Sequence, residues 1–175
     1  MRLAISGLAL VGALAMTGCS TLVSLNPFTT DKEAIVDPRL VGVWSVEDDL
    51  CAISQDGNAY AVKYMGNDAP VKFQARLFKV GDATLMDLVS TDDHAFQVPV
   101  HAAVRVWIED ATLRWAFLDS DWLKEQVNGK LPTQEESAKD RTVLSAPRAD
   151  VRAFLVKYGS DGQAYSKIQE FHKVQ

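Results

Sequence analysis

Two cysteines and three histidines are all the soft or imidazole metal ligands in the 175 residues. Cys19 and Cys51 lie far apart, and no histidine stands at ligand spacing from either, so the paired-ligand patterns of zinc sites are missing and no metal is assigned. Basic residues are also scarce. Lysine and arginine total 18 against 23 aspartates and glutamates, a formal net charge of −5, and they form no run. A nucleic-acid partner therefore has no electrostatic footprint, and neither has adhesion to anionic headgroups through a basic patch. Missing too are the glycine-rich fingerprints that cradle phosphates or dinucleotides and the G-x-S-x-G signature of a serine nucleophile. Serines and carboxylates are plentiful, but nucleophilic catalysis needs a nucleophile, a base and an orienting group brought together, and nothing local announces such a set. The residues thus assign no cofactor and no catalytic side chain. There is no internal repeat and no low-complexity segment.

What is present begins with "MRLAISGLALVGALAMTGCS". Arg2 supplies a positive charge and Leu3 to Met16 is apolar, broken only by Ser6 and small residues. That run falls short of the roughly 20 apolar residues of a spanning helix and reads as a secretory signal. Its end, Met16-Thr17-Gly18-Cys19, resembles the lipobox of bacterial lipoproteins, with Met16 where Leu is more usual. The resemblance implies cleavage before Cys19, a thioether-linked lipid on its sulfur and an acylated amine. Several acyl chains, each buried methylene contributing about 0.8 kcal/mol, hold a protein to a bilayer almost permanently. In Gram-negative lipoproteins an Asp after the Cys marks inner-membrane retention; Ser20 there implies the outer membrane, facing the periplasm. With Cys19 lipidated, Cys51 is left without an intramolecular partner and reads as a small buried hydrophobe.

Residues 1–18 are thus a signal peptide. Residues 19–37, with Asn26-Pro27, Thr29-Thr30 and Asp37-Pro38 and no sustained period, read as a lipidated tether. Residues 38–175 form one domain. In it the hydrophobic pattern alternates with period two between turn residues. "LVGVWSV", "LCAIS", "AYAVKYM", "VKFQARLF", "TLMDLVS", "AAVRVWI" and "TLRWAFL" follow one another as hairpin strands, with Asp56-Gly57 a strong turn pair. Val71, Phe73, Ala75 and Leu77 fall on one face of their strand; Ala102, Val104, Val106 and Ile108 fall opposite Ala103, Arg105 and Trp107 on theirs. "SDWLKEQVNGK" reads as a short helix capped by Ser120 and stopped at Asn128-Gly129, with Trp122 pinning it. "SAPRADVRAFLVKYG" reads as a helix with Ser145 as cap, Pro147 in its first turn and Gly159 as terminator. Thr133 and Glu136 have capping-box spacing and suggest a single turn, while "YSKIQEFHKV" suggests one more strand. The expectation is a mainly β fold: an antiparallel up-and-down barrel of about eight strands with a C-terminal α-helix and a short additional helix.

Gly42-Val43-Trp44, at the start of the first strand of that series, resembles the Gly-x-Trp of lipocalins and the wider calycin barrels, where the Trp plugs the closed end. Leu144-Ser145 is similar to the lipocalin Leu-Ser before the C-terminal helix, which an Arg packing on that Trp normally follows. Here Ala146 holds that place and Arg148 stands two residues later. The resemblance gives Gly42 and Trp44 structural roles and implies a lipocalin-like barrel; the chain as a whole also resembles a group of bacterial envelope lipoproteins to which no activity attaches.

An eight-stranded barrel is just wide enough to be filled by its side chains or to hold one small ligand. Tyr60 and Tyr64 alternate on one strand face, Arg105 and Trp107 share another, and Trp115 and Phe117 a third. As a ligand set, Tyr60, Tyr64, Arg105, Trp107 and Trp115 would supply an apolar lining with Arg105 to meet a carboxylate or phosphate; as a structural set they are core. His94 beside Asp92 and Asp93 reads as a solvated loop, and His101 and His172 as satisfied or surface residues. Three functions fit: an outer-membrane-anchored barrel binding a small amphipathic or hydrophobic ligand such as a lipid or fatty acid, an interaction or inhibitor module docking on another envelope protein through loops such as "STDDHAF" and "GNDAP", and, as the minority reading, a hydrolase.

Overall fold

The computed structural model describes residues 21–92, 98–127, 131–136 and 141–174. The lipobox with Cys19, His94 and the helix stop Asn128-Gly129 lie outside these residues. The strands are β1 (Thr21–Ser24), β2 (Gly42–Val46), β3 (Asp49–Asp56), β4 (Ala59–Met65), β5 (Val71–Val80), β6 (Ala83–Ser90), β7 (His101–Ile108), β8 (Thr112–Phe117), β9 (Thr133–Glu136), β10 (Arg141–Leu144) and β11 (Gln169–Lys173). Two helices, α1 (Ser120–Val127) and α2 (Arg148–Tyr158), stand between β8 and β11.

Strands β2 to β8 form the expected meander, each antiparallel to the next. The last strand, β11, arrives after both helices and pairs antiparallel with β8 on one side and β2 on the other, closing an eight-stranded antiparallel barrel. Closure removes the edges that an open sheet would expose. The architecture is compatible with a lipocalin-like barrel. The hairpins carry glycine where the chain must turn with positive φ: Gly57 at 61° and Gly81 at 55°.

Alternation sorts the apolar residues into two clusters. All eight barrel strands contribute to the first, among them Trp44, Cys51, Tyr60, Leu77, Met86, Val104, Trp115 and Phe171, so this cluster is the lumen. The second lies outside the barrel, where Phe78, Leu85, Ala103 and Ala116 pack under α1, α2 and the segments flanking β1 and β10. One half of the wall is therefore covered and doubly buried. The outer face of β2, β3, β4 and the first part of β5 has no such cover, and Val43 and Leu50 are exposed on it.

Several local expectations change. The stretch 19–37, read as a tether, is laid along the barrel from Thr21 onward. β1 pairs parallel with β10 and antiparallel with the start of β7, where it takes the edge that β8 leaves open beyond Phe117. Leu22 and Phe28 are buried, Asn26 Nδ2 donates to the Ala146 carbonyl at 2.8 Å, and Ile35 bridges to Leu77. Period two is invisible here because Leu22, Val23 and Ser24 are all buried. Thr133 to Glu136 is not a helical turn but β9, recruited by pairing with β10, a long-range bond that capping-box spacing cannot report. Asp119, not Ser120, caps α1, accepting from the amides of Asp121 and Trp122 at 2.9 and 3.0 Å. Pro147, rather than Ser145, occupies the cap position of α2. Gly159 ends that helix with an ordinary φ of −66°; a Cβ there would lie 2.6 Å from the Leu155 carbonyl oxygen, so close packing is what requires glycine.

Candidate functional site

One end of the lumen is sealed. The turn Pro38–Leu40 brings Leu40 beneath Trp44, whose Nε1 donates to the Leu40 carbonyl at 2.9 Å; both residues are fully buried. Tyr60, also fully buried, accepts the Asp37 amide at 2.7 Å and donates its hydroxyl to the Asp37 carbonyl at 3.1 Å, tying the same segment from inside. A cation does sit over the Trp44 ring, at 5.2 Å, but it is Lys173 of β11; the resemblance to lipocalins places it after Leu144-Ser145.

The five aromatic and basic residues singled out as a ligand set do not meet in one place. Tyr60, Tyr64 and Trp115 face the lumen; Arg105 and Trp107 face outward. Trp115 packs edge-on against Phe171, centroids 4.3 Å apart, and donates Nε1 to Gln169 at 2.6 Å. Tyr64 donates to the buried Asp49 carboxylate at 2.8 Å. Outside, Arg105 lies over Trp107 and Tyr165 and donates to the Ser160 carbonyl at 3.2 Å. It also lines a polar hollow of about 330 Å³ in which Arg39 and Lys79 are matched by Asp37, Asp82 and Glu109, leaving no excess of either charge.

Burial in this interior pushes the Cys51 thiol up to about 12 from an ordinary 9.0. Burial in the cluster outside the barrel raises the Tyr165 phenol to about 12 as well. Tyr60 and Tyr64 are raised by burial too, Tyr64 further by the Asp49 carboxylate it faces. Each of these groups holds its proton more tightly folded than unfolded. The stability they contribute is complete below their unfolded values and is lost as pH climbs toward 12. Cys51 is therefore expected to resist iodoacetamide at pH 8 until urea unfolds the chain, and the urea midpoint should fall steadily above pH 9. A midpoint flat up to about pH 12 would contradict both assignments.

His101 has a partner: Nδ1 lies 2.8 Å from Asp87 Oδ1, and Asp87 Oδ2 accepts the Phe28 amide at 2.9 Å. Ser24 stands opposite His101 across the β1–β7 ladder, so three residue types of a hydrolase gather here. Yet Ser24 is fully buried and its Oγ accepts the Asn26 amide at 3.0 Å. The cluster fastens the arm that carries β1, with Ser24 and Asp87 buried and His101 partly exposed. Among the described residues no group of His, Cys, Asp and Glu is arranged to hold a metal ion.

The feature that pattern reading missed lies on the bare half of the wall. A furrow of about 600 Å³ crosses β2, β3, β4 and β5, lined mostly by apolar atoms. The register explains it. Gly42, Ile53, Val62 and Phe73 pair across the four strands, and the side chains of the last three turn into the lumen, so their backbone makes the floor. One wall is the neighbouring row Val43, Ala52, Lys63 and Lys72; the other is Ser54, Ala61 and Gln74. Two alanines at the centre, where longer side chains would fill the space, leave the channel open. No family model, curated protein or solved structure matches the chain. The signal that could have found the furrow is the outward-facing set Val43, Ala52 and Ala61, small or apolar where a solvated strand face is usually polar and long.

Proposed function

We propose that this protein is a bacterial envelope lipoprotein, held by acyl chains on Cys19 at the outer membrane and facing the periplasm, whose barrel binds a small amphipathic or hydrophobic ligand such as a lipid or fatty acid. The observation that carries the ligand reading is the apolar furrow of about 600 Å³ on the bare outer wall. Its size falls within the roughly 300–1,000 Å³ of small-molecule sites. The lumen, by contrast, is occupied by Trp44, Tyr60, Met86, Leu113 and Phe171, each fully buried. The anchor reading rests on Met16-Thr17-Gly18-Cys19, and a single residue, Ser20, separates Cys19 from β1. A barrel so anchored rides close to the bilayer, where amphiphiles are abundant.

A second reading draws on the same wall. Val43, Leu50 and Val174 are exposed, and such an apolar surface over a filled barrel also suits docking on another envelope protein. The two separate in one set of measurements. Cells fed labelled palmitate are expected to label the wild-type chain and not Cys19→Ser. Native mass spectrometry of the purified full chain is expected to show an adduct of lipid mass, removable by organic extraction. An unlabelled wild-type chain removes the anchor, and a chain that is always free of adducts and binds no added acyl compound leaves the docking reading in its place.

A further inference from the structure

The furrow is not uniformly apolar, and its polarity has a direction. Along the wall Val43–Ala52–Lys63–Lys72, two apolar side chains give way to two lysines. Lys63 and Lys72 are direct cross-strand partners on the same outer face. Like charges so placed, with Cβ atoms about 4.5–5.5 Å apart, repel one another and destabilise the ladder. Neither ammonium has a hydrogen bond or ion pair among the described residues. The nearby carboxylate, Asp92, is spent on the backbone: its Oδ2 accepts the Lys72 amide at 3.2 Å. Asp56 lies by the opposite wall. A protein of net charge −5 thus sets two unpaired cations side by side at one end of an apolar channel.

From this juxtaposition we infer that the furrow binds a free fatty acid, its carboxylate bridging Lys63 and Lys72 and its chain lying over Ala52 and Ala61 toward Val43. This rests on the ligand-binding reading and names the ligand class for it. Three considerations select this occupant. The compact carboxylate fits between ammonium groups carried on adjacent strands and removes their repulsion. Four strands at a spacing of about 4.8 Å span about 14 Å, room for a chain laid across them. If a methylene takes about the 30 Å³ of a liquid water, the furrow holds on the order of twenty such groups, which is one acyl chain and not the two of a diacyl lipid.

The test uses the full chain and dansyl-undecanoate, followed by fluorescence, with the methyl ester of the same probe as a head-group control. The double variant Lys63→Gln/Lys72→Gln is expected to weaken the acid by about tenfold or more, as loss of charge-assisted bonds does, and to leave the ester unchanged. Ala61→Trp, which fills the channel at an exposed position, is expected to weaken acid and ester alike. Laurate should displace the probe at a far lower concentration than dihexanoyl phosphatidylglycerol, whose bulkier diester head fits less well between the two ammonium groups than a carboxylate. All substituted positions are exposed, and an unchanged urea midpoint confirms that each variant is folded. Probe binding that ignores both variants, or displacement by the diacyl phosphate in preference to laurate, overturns this site and ligand while the broader ligand-binding reading stands. Failure of the wild-type chain to bind any acyl probe overturns both.

Discussion

Replacing Trp44 by alanine is expected to destabilise the barrel by about 3–5 kcal/mol, the range for deleting a large aromatic from a packed core. The residue is fully buried at the sealed end of the lumen. Its removal takes away three things together: the indole that fills the narrowing barrel, the bond from Nε1 to the Leu40 carbonyl, and the surface on which Lys173 rests. Leu40 cannot move in to fill the space, because the turn Pro38–Leu40 is itself held through Asp37 by Tyr60. The effect should appear as a lower urea midpoint at unchanged slope, since the unfolded chain is little altered. Trp44→Phe keeps most of the volume and should lose far less. A Trp44→Ala chain within about 1 kcal/mol of wild type would show that the lumen end is not packed as described.

Asp87→Ala is expected to lower stability by about 2–4 kcal/mol, by taking one shared acceptor from two donors. The carboxylate is only 4 % exposed in its side chain and serves two donors, His101 and the Phe28 amide. Alanine leaves both without an acceptor under the arm. Part of the loss should be local. Amides from Ser24 to Thr30 are expected to exchange faster with solvent than those of the barrel strands, because this bond ties the arm to β6 and β7. Asp87→Asn retains an acceptor for the Phe28 amide and should recover a good part of the difference. If exchange accelerates uniformly over the barrel and the arm, Asp87 supports the wall as a whole and not the arm in particular.

The hairpin series from β2 to β8 was legible because each strand has one face meeting an apolar interior, so its side chains alternate. Both helical stretches were legible, α2 from its apolar spacing and its terminator Gly159. β1, β9 and β10 were not. They are short, and β1 is buried on both faces, so each is created by pairing with a distant partner and carries no period of its own. The five residues of the ligand set divide between the two faces for a related reason. Alternation divides Arg105 and Trp107 from Val104 and Val106, but it does not say which group is inside. On β7 both faces carry packed side chains, one against the lumen and one partly beneath the helices and the arm, so aromatic content is no guide.

By itself the sequence determined the alternating strands, their antiparallel succession, the helical stretches and the glycines of the hairpins, all of which follow from forces acting between residues near in the chain. Tertiary structure alone decided that β11 closes the barrel, that residues after Thr21 wrap it, which faces point inward, and that Lys63 meets Lys72 beside two alanines. Those outcomes depend on strand register and on which wall the helices cover. Both are set by burying apolar area across segments far apart in the chain, and no local pattern encodes them.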